Sequence, residues 1–438
     1  MTAFAPSVVE QTDEWEPKEI QSLEETGLSL GLLSDMALKT MYFRGQITGY
    51  ELAKELRLPF STVVHTVMDF LKREQMVEVK GASGLQAGTF MYVITTKGSN
   101  RAREQLDRVG YIGPAPVPWS EYVTAIRAQG SRTLRVDPQM AKQALSHLVL
   151  DDNIFKRIGP AINSGRSMFM YGPPGNGKTT IAESIGRMVL GNEMYVPYCT
   201  EVDGQIIKVF DEINHVLASD QTGRGGNGSG VSSLRDGRWI RIQRPVIIVG
   251  GELTMEGLDL VYDPNNRYYE APYQMKANGG MFLVDDFGRQ QIRPRDLLNR
   301  WIVPMEKMVD YLALRTGRKI EIPFNVLLVF CTNLPPADLV DEAFLRRIRH
   351  KIHVTSPSFE NYRKIFRMVC QNNMIPQDDQ ALRYLMEQHY VKPKRKLRAN
   401  HPRDLIDQVI DICSYQGIHP RLSKEILDQA AESYFVDV

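Results

Sequence analysis

The sequence predicts an α/β fold built on a parallel sheet, with a helical domain behind it and a small helix-and-ribbon module in front. Three observations predict it. From about residue 135, short apolar runs alternate with helical patterns: Ser167 to Tyr171, Met194 to Tyr198, Val246 to Val249, Met281 to Val284 and Val326 to Cys331. A glycine-rich turn joins the first of these strands to a helix spanning Lys178 to Val189. From Ser358 to the end the spacing is helical, over 358–372, 378–390, 402–415 and 423–435.

The elements in front follow from local signals. Residues 1–29 are acidic and polar (Glu10, Asp13, Glu14, Glu16, Glu19, Glu24, Glu25) and are expected to be a flexible tail. Residues 30–110 open with a helix carrying Met36, Ala37, Leu38 and Met41. Thr48 and Glu51 make a capping box for a second helix, which ends at Pro59. Ser61 starts a third helix, with Val64, Val67, Met68 and Leu71 on one face. Strands at Val77 to Val79 and Phe90 to Ile94 and a helix from Lys97 complete an order that resembles a winged helix-turn-helix. Pro114, Pro116 and Pro118 make residues 111–134 a semi-rigid linker. The core is expected over 135–355 and the helical domain over 356–438. The stretch 222–233, TGRGGNGSGVSS, is expected to be a mobile loop.

Composition narrows the classes. Of 438 residues, 43% are hydrophobic and 24% charged, so disorder is excluded as the main state. Lys and Arg number 53 against 52 Asp and Glu, a net charge of +1. Bulk charge therefore cannot hold a polyanion, and any such contact must come from a local patch. The four cysteines, Cys199, Cys331, Cys370 and Cys413, lie far apart, which predicts reduced thiols and a cytoplasmic setting. No run approaches the ~18–20 apolar residues that span a bilayer, and no signal peptide is expected.

The chemistry concentrates in two motifs. Gly172, Pro173, Pro174, Gly175, Asn176, Gly177, Lys178 and Thr179, followed by Thr180, complete G-x-x-x-x-G-K-[ST] between an apolar strand and a helix. Glycines let backbone N–H groups converge on phosphate oxygens, and the helix N-terminus adds partial positive charge. In this pattern Lys178 reaches the β- and γ-phosphates and the Thr179 hydroxyl meets Mg²⁺. The second motif is the apolar strand Met281 to Val284, ending in Asp285 and Asp286. Asp285 would hold Mg²⁺ and Asp286 would polarise an attacking water.

On these motifs residues 135 to 438 resemble the AAA+ ATPase superfamily. Phe324 to Asn333 is similar to the sensor-1 strand, with Asn333 at its tip. Asp341 to Ile348 is similar to the arginine-finger region, making Arg346 and Arg347 the candidates. His401-Pro402-Arg403 looks like sensor 2 at the start of a lid helix. The resemblance implies a P-loop AAA+ core with a helical lid, ATP and Mg²⁺ as ligands, and a homo-oligomeric ring, a hexamer, in which a neighbour's arginine completes each site. One departure stands out: the family has Asp-Glu where this chain has Asp285-Asp286. The shorter side chain leaves slow hydrolysis, or a nucleotide-gated scaffold, open.

About ninety residues separate the phosphate-loop helix from the Asp285 strand, a length that coarsely resembles the helix-2-insert group with its MoxR-like ATPases. Tyr268 and Tyr269 are candidates for gripping an extended polypeptide; the alternative is that they pack a sheet edge. A hairpin over 311–322 has a basic tip at Arg315, Arg318 and Lys319. The third helix of the front module carries Asp69 and Glu74 beside Lys72 and Arg73, a poor set for reading DNA, so protein docking is the first reading and DNA the second. Together these readings predict an ATPase that remodels a macromolecule, a protein first and DNA as the alternative.

Overall fold

The computed structural model describes residues 15–82, 84, 86–130, 136–190, 193–218, 235–339 and 342–435. The expected loop at 222–233, the first fourteen residues of the expected tail, and Asp341 lie outside them.

Five parallel strands form the central sheet, in the order Val246–Val249, Met281–Val284, Leu327–Thr332, Met168–Tyr171, His350–His353. The three middle strands are almost wholly buried, as their unbroken apolar runs require of a sheet covered on both faces. The first strand in sequence lies between the last two. The chain therefore reverses its direction of travel across the sheet at the carboxyl end of Met168–Tyr171, where α/β sheets place ligands. The helix Lys178–Leu190 starts there, after the glycine-rich turn. Gly172 sits at φ +148°, and a Cβ on it would lie 2.1 Å from the Val354 carbonyl oxygen, so only glycine fits this close approach.

Behind the sheet lie the helices Phe359–Asn372, Asp379–Met386, His401–Tyr415 and Lys424–Tyr434, close to the expected spans and packed around their own core of Tyr362, Phe366, Leu385, Ile406 and Leu427. In front, the helices Leu30–Arg44, Gly49–Leu56 and His65–Arg73 pack on a three-stranded antiparallel sheet of Gln46–Thr48, Phe90–Ile94 and Val77–Ala82. The Thr48–Glu51 capping box forms as its spacing predicts. The third helix begins with a π-helical turn, Phe60–Val64.

Between these parts lies a layer that the sequence reading did not anticipate. A second five-stranded sheet runs Val261–Asp263, Tyr268–Glu270, Gln205–Lys208, Cys199–Val202, Val117–Pro118. Four expectations are corrected in this part of the molecule. Residues 111–130, the described part of the expected linker, are packed: Val117 joins this sheet, Tyr111 and Ala115 are buried, and Trp119–Ala128 is a helix. Pro118 occurs in this strand because an edge strand tolerates its missing N–H. The acidic segment is packed from Trp15 on, since Trp15 meets Trp239 edge-on at 4.8 Å and Ile20 is buried. Met194 to Tyr198 is not part of the parallel sheet; Glu193–Pro197 pairs antiparallel with Trp239–Gln243. Tyr268 and Tyr269 lie within a strand, Tyr269 only 2% exposed with its hydroxyl accepting from the Arg315 N–H at 2.9 Å, and Tyr268 edge-on to Tyr111. They pack the insertion, which is the alternative that the sequence left open. The expected hairpin is Val309–Ala313 with Lys319–Pro323, and its tip is folded back: Arg315 covers the Tyr262 ring and Arg318 pairs with Asp203.

Candidate nucleotide site

Parallel strands end in loops at one edge of the sheet, so residues distant in sequence meet there. The loop 172–177 follows Met168–Tyr171, Asp285 and Asp286 follow Met281–Val284, and Asn333 follows Leu327–Thr332. They line a cavity of about 410 Å³ together with Thr179, Thr180 and, from the helical domain, Asn400 and Arg403.

Each group has a defined partner. Lys178 is 6% exposed, and its ammonium donates to the carbonyl oxygens of Gly172 and Pro173, both at 3.0 Å, and to Asn333 Oδ1 at 2.6 Å. Burial holds its pKa below the usual lysine value, and the charges of Asp285 and Asp286 oppose that shift. The Thr179 hydroxyl donates to Asp285, 3.1 and 3.0 Å from its two oxygens. Asn333 Nδ2 donates to Asp286 Oδ1 at 2.9 Å, so one amide bridges the lysine and the second aspartate. Asp286 has φ +47°, a strained conformation for a residue with a Cβ and one that collects at functional sites. Gly175 and Gly177 also have positive φ, +75° and +78°. That turns successive N–H groups of the loop toward one side, the concave arrangement that suits an anion.

The helical domain closes the cavity against the loop. The N–H of Asn400 donates to the Gly175 carbonyl at 2.9 Å, and the Asn400 side-chain oxygen lies 2.2 Å from where a Gly175 Cβ would sit. The N–H of Ala399 reaches Asn176 Oδ1 at 3.3 Å. Asp404 accepts from Arg403, Asn400 Nδ2 and the Tyr434 hydroxyl, which fixes the start of the helix His401–Tyr415. Arg403 lines the cavity and is held by its neighbour Asp404.

Arg346 and Arg347 do not line it. Arg346 pairs with Glu342 at 2.8 Å and Arg347 with Glu306 at 2.6 Å. The sequence reading missed the apolar wall, Leu148, Val149, Leu150, Ile365 and Met368, because one half comes from the start of the core and the other from the helical domain. It also missed Gln290, which donates to the Asp285 carbonyl at 2.7 Å and accepts from the Gly288 N–H at 2.8 Å, tying down the turn after the aspartates. No periodicity marks such a residue. Asn400 had a faint signal, lying just before the His401-Pro402-Arg403 motif.

Comparison with known proteins fits this geometry in part. The chain is 42% identical over 184 residues to a vesicle-fusing ATPase of Dictyostelium discoideum, a match that takes in 34% of this chain and 24% of that protein. The chain thus spans about a quarter of the length of that relative. Residues 358–433 match a domain of unknown function, DUF8689. Among solved structures, NtrX from Brucella abortus in complex with ADP overlays with a TM-score of 0.39 and 12% identity, covering 65% of this chain and 56% of that one. The Thermotoga maritima RuvB Holliday junction branch migration motor overlays with a TM-score of 0.36 and 12% identity, covering 66% and 70%. The fold assignment rests on the strand order above rather than on these distant overlays. Among the described residues no helix is long and apolar enough to cross a membrane.

Proposed function

We propose that this chain is an ATP hydrolase of the AAA+ type that works in a homo-oligomeric ring, a hexamer, and couples its nucleotide cycle to remodelling of a macromolecule, a protein in the first reading. The observation that carries it is the convergence of Lys178, Thr179, Asp285, Asp286 and Asn333 on one cavity closed by Arg403. The residues fit the ligands. The loop offers backbone donors and a lysine to a triphosphate, and an apolar wall of Leu148, Val149 and Ile365 suits a base. Magnesium takes one or two protein oxygens plus phosphate oxygens, and the Thr179–Asp285 pair supplies that modest donor set. Bound magnesium would add compensating charge at the phosphates.

The chain's own residues then have separate tasks. Lys178 exchanges its carbonyl partners for phosphate oxygens. Asp286 accepts the proton of the attacking water, and Asn333 keeps its carboxylate in place. Arg403 supplies positive charge from the helical domain, and Arg346 or Arg347 supplies it to the neighbouring subunit's site. The second layer between the phosphate-loop helix and the Asp285 strand supports a helix-2-insert, MoxR-like elaboration. The front module is assigned as a winged helix used for protein docking.

Equilibrium binding of a fluorescent ATP analogue, combined with steady-state turnover, tests this. Lys178→Ala is expected to lose binding. Arg346→Ala with Arg347→Ala is expected to bind normally and turn over about 10³-fold more slowly. Wild-type affinity in the first variant or full activity in the second would remove the assignment. A second reading, a nucleotide-gated scaffold with little turnover, is favoured by the short Asp286 side chain held by Asn333. Tight ATP binding without turnover in the assembled ring would select it.

A further inference from the structure

With a net charge of only +1, this chain can hold a polyanion only through a local patch. Of the cations that the sequence nominated for that task, all but Lys319 are occupied. Lys72 pairs with Asp69 at 3.5 Å and Arg73 donates to the Asp69 carbonyl at 3.4 Å. Arg315 covers Tyr262, its guanidinium 4.3 Å from the ring centre, and Arg318 pairs with Asp203. Each of these cations has been used to hold the chain to itself.

A different segment has not been spent in this way. Between Glu387 and Asp404 there is no carboxylate, while five of the seven residues from 392 to 398 are Lys or Arg. The segment is a fixed turn. It leaves the π-helical turn Glu387–Val391, and the N–H groups of Lys392, Lys394 and Arg395 donate to the carbonyls of Glu387, Val391 and Tyr390 at 3.2, 3.2 and 2.8 Å. Arg395 anchors it, lying 3.8 Å over the Phe435 ring and donating to the His389 carbonyl at 2.7 Å. Arg398 is tied to Ser356 at 3.2 Å.

That leaves Lys392, Lys394 and Lys396 exposed on a rigid support. Lys392 reaches only the neutral Gln388 amide. Among the described residues Lys394 and Lys396 have neither an ion pair nor a side-chain hydrogen bond. Holding three unneutralised ammonium groups on one turn costs repulsion, which a partner with regularly spaced anionic oxygens would relieve. The turn carries no aromatic ring on which a base could stack. A contact here is electrostatic, as with a duplex backbone, and not the stacking platform that single strands use.

We propose that the turn Lys392–Arg398 is a docking site for the phosphate backbone of duplex nucleic acid, with Lys392, Lys394 and Lys396 as the contacting groups. The site reads no sequence, since lysines on phosphates position without specifying. None of these three lysines lines the nucleotide cavity.

The test uses the full chain and a labelled DNA duplex of about 25 base pairs, with anisotropy followed from about 50 to 200 mM salt. Wild-type protein is expected to bind with an affinity that falls steeply with salt. The triple variant Lys392→Gln, Lys394→Gln, Lys396→Gln is expected to lose about 10- to 100-fold in affinity and to flatten the log–log salt slope by roughly 2–3. It should keep its melting temperature and its ATP affinity. Lys178→Ala should keep duplex binding, which separates failure here from failure of the ATPase assignment. Absence of wild-type binding at low salt, or an unchanged slope in the triple variant, would overturn the proposal. So would a slope carried instead by Lys72→Gln with Arg73→Gln. Equal losses of binding to polyglutamate, or to phosphatidylserine vesicles, would reassign the turn to an acidic protein or a membrane surface.

Discussion

Lys178 and Arg238 are both buried cations, 6% and 1% exposed, yet they are bonded in opposite ways. Lys178 faces a cavity, and two of its three partners are neutral carbonyls that a phosphate can replace. Arg238 sits at the joint between the front module and the second sheet. It chelates Asp236 at 2.8 Å and donates to the carbonyls of Thr26 and Pro116 at 2.8 and 3.0 Å. One site holds its polar groups in exchangeable bonds beside empty volume. The other saturates them, although Asp236 and Arg238 also line a cavity, of about 910 Å³. Burial of charge alone therefore does not mark a ligand site; replaceable partners do.

The largest expected effect follows from that contrast. Arg238→Met strands the buried Asp236 carboxylate, so urea unfolding should show a loss of about 3–5 kcal/mol. Lys178→Met should cost little stability, because its aspartate neighbours keep Thr179 and Asn333, but it should abolish ATP binding. If both variants lose stability equally, the distinction fails.

Gly175→Ala tests the contact between loop and helical domain. Its Cβ would meet the Asn400 side-chain oxygen at 2.2 Å, and its φ of +75° disfavours any side chain. ATP affinity is expected to fall about tenfold, with the front module's melting unchanged. Tyr269→Phe removes the acceptor for the Arg315 N–H and should cost about 1 kcal/mol without touching turnover.

The smallest effect is a pH dependence within the helical domain. Burial, aided by Arg398 and Arg395, lowers the His401 pKa to about 4. The folded state keeps this histidine neutral while the unfolded chain takes up a proton below about 6.5, so stability should fall as pH drops from 6.5 to 4. The group is partly solvated, so the loss is on the order of 1 kcal/mol. A flatter acid limb of the melting temperature in His401→Phe checks it.

The two regions also differed in how far they could be read. The phosphate loop, the paired aspartates and Asn333 were legible because strand-then-loop chemistry is local: each functional residue follows its own apolar strand directly. The second sheet was not legible. Val117 pairs beside Thr200, and Tyr269 beside Ile207, and no local pattern encodes partners so far apart. The same limit hid the role of the segment from Trp15 onward, where an acidic composition suggested a tail and two aromatic contacts decided otherwise.

By itself the sequence determined the alternation of strands and helices, the loop that can cradle phosphate, and the residues placed at the strand ends. Residue type and short spacing are enough for these, since backbone geometry and anion chemistry act within a few residues. Only the tertiary structure decided which cations stay available. Lys72, Arg315 and Arg318 read as free in sequence and found partners in space, while the lysines after Val391 did not. Ion pairing and burial depend on which distant segments the fold brings together, and that information lies in no single stretch of the chain.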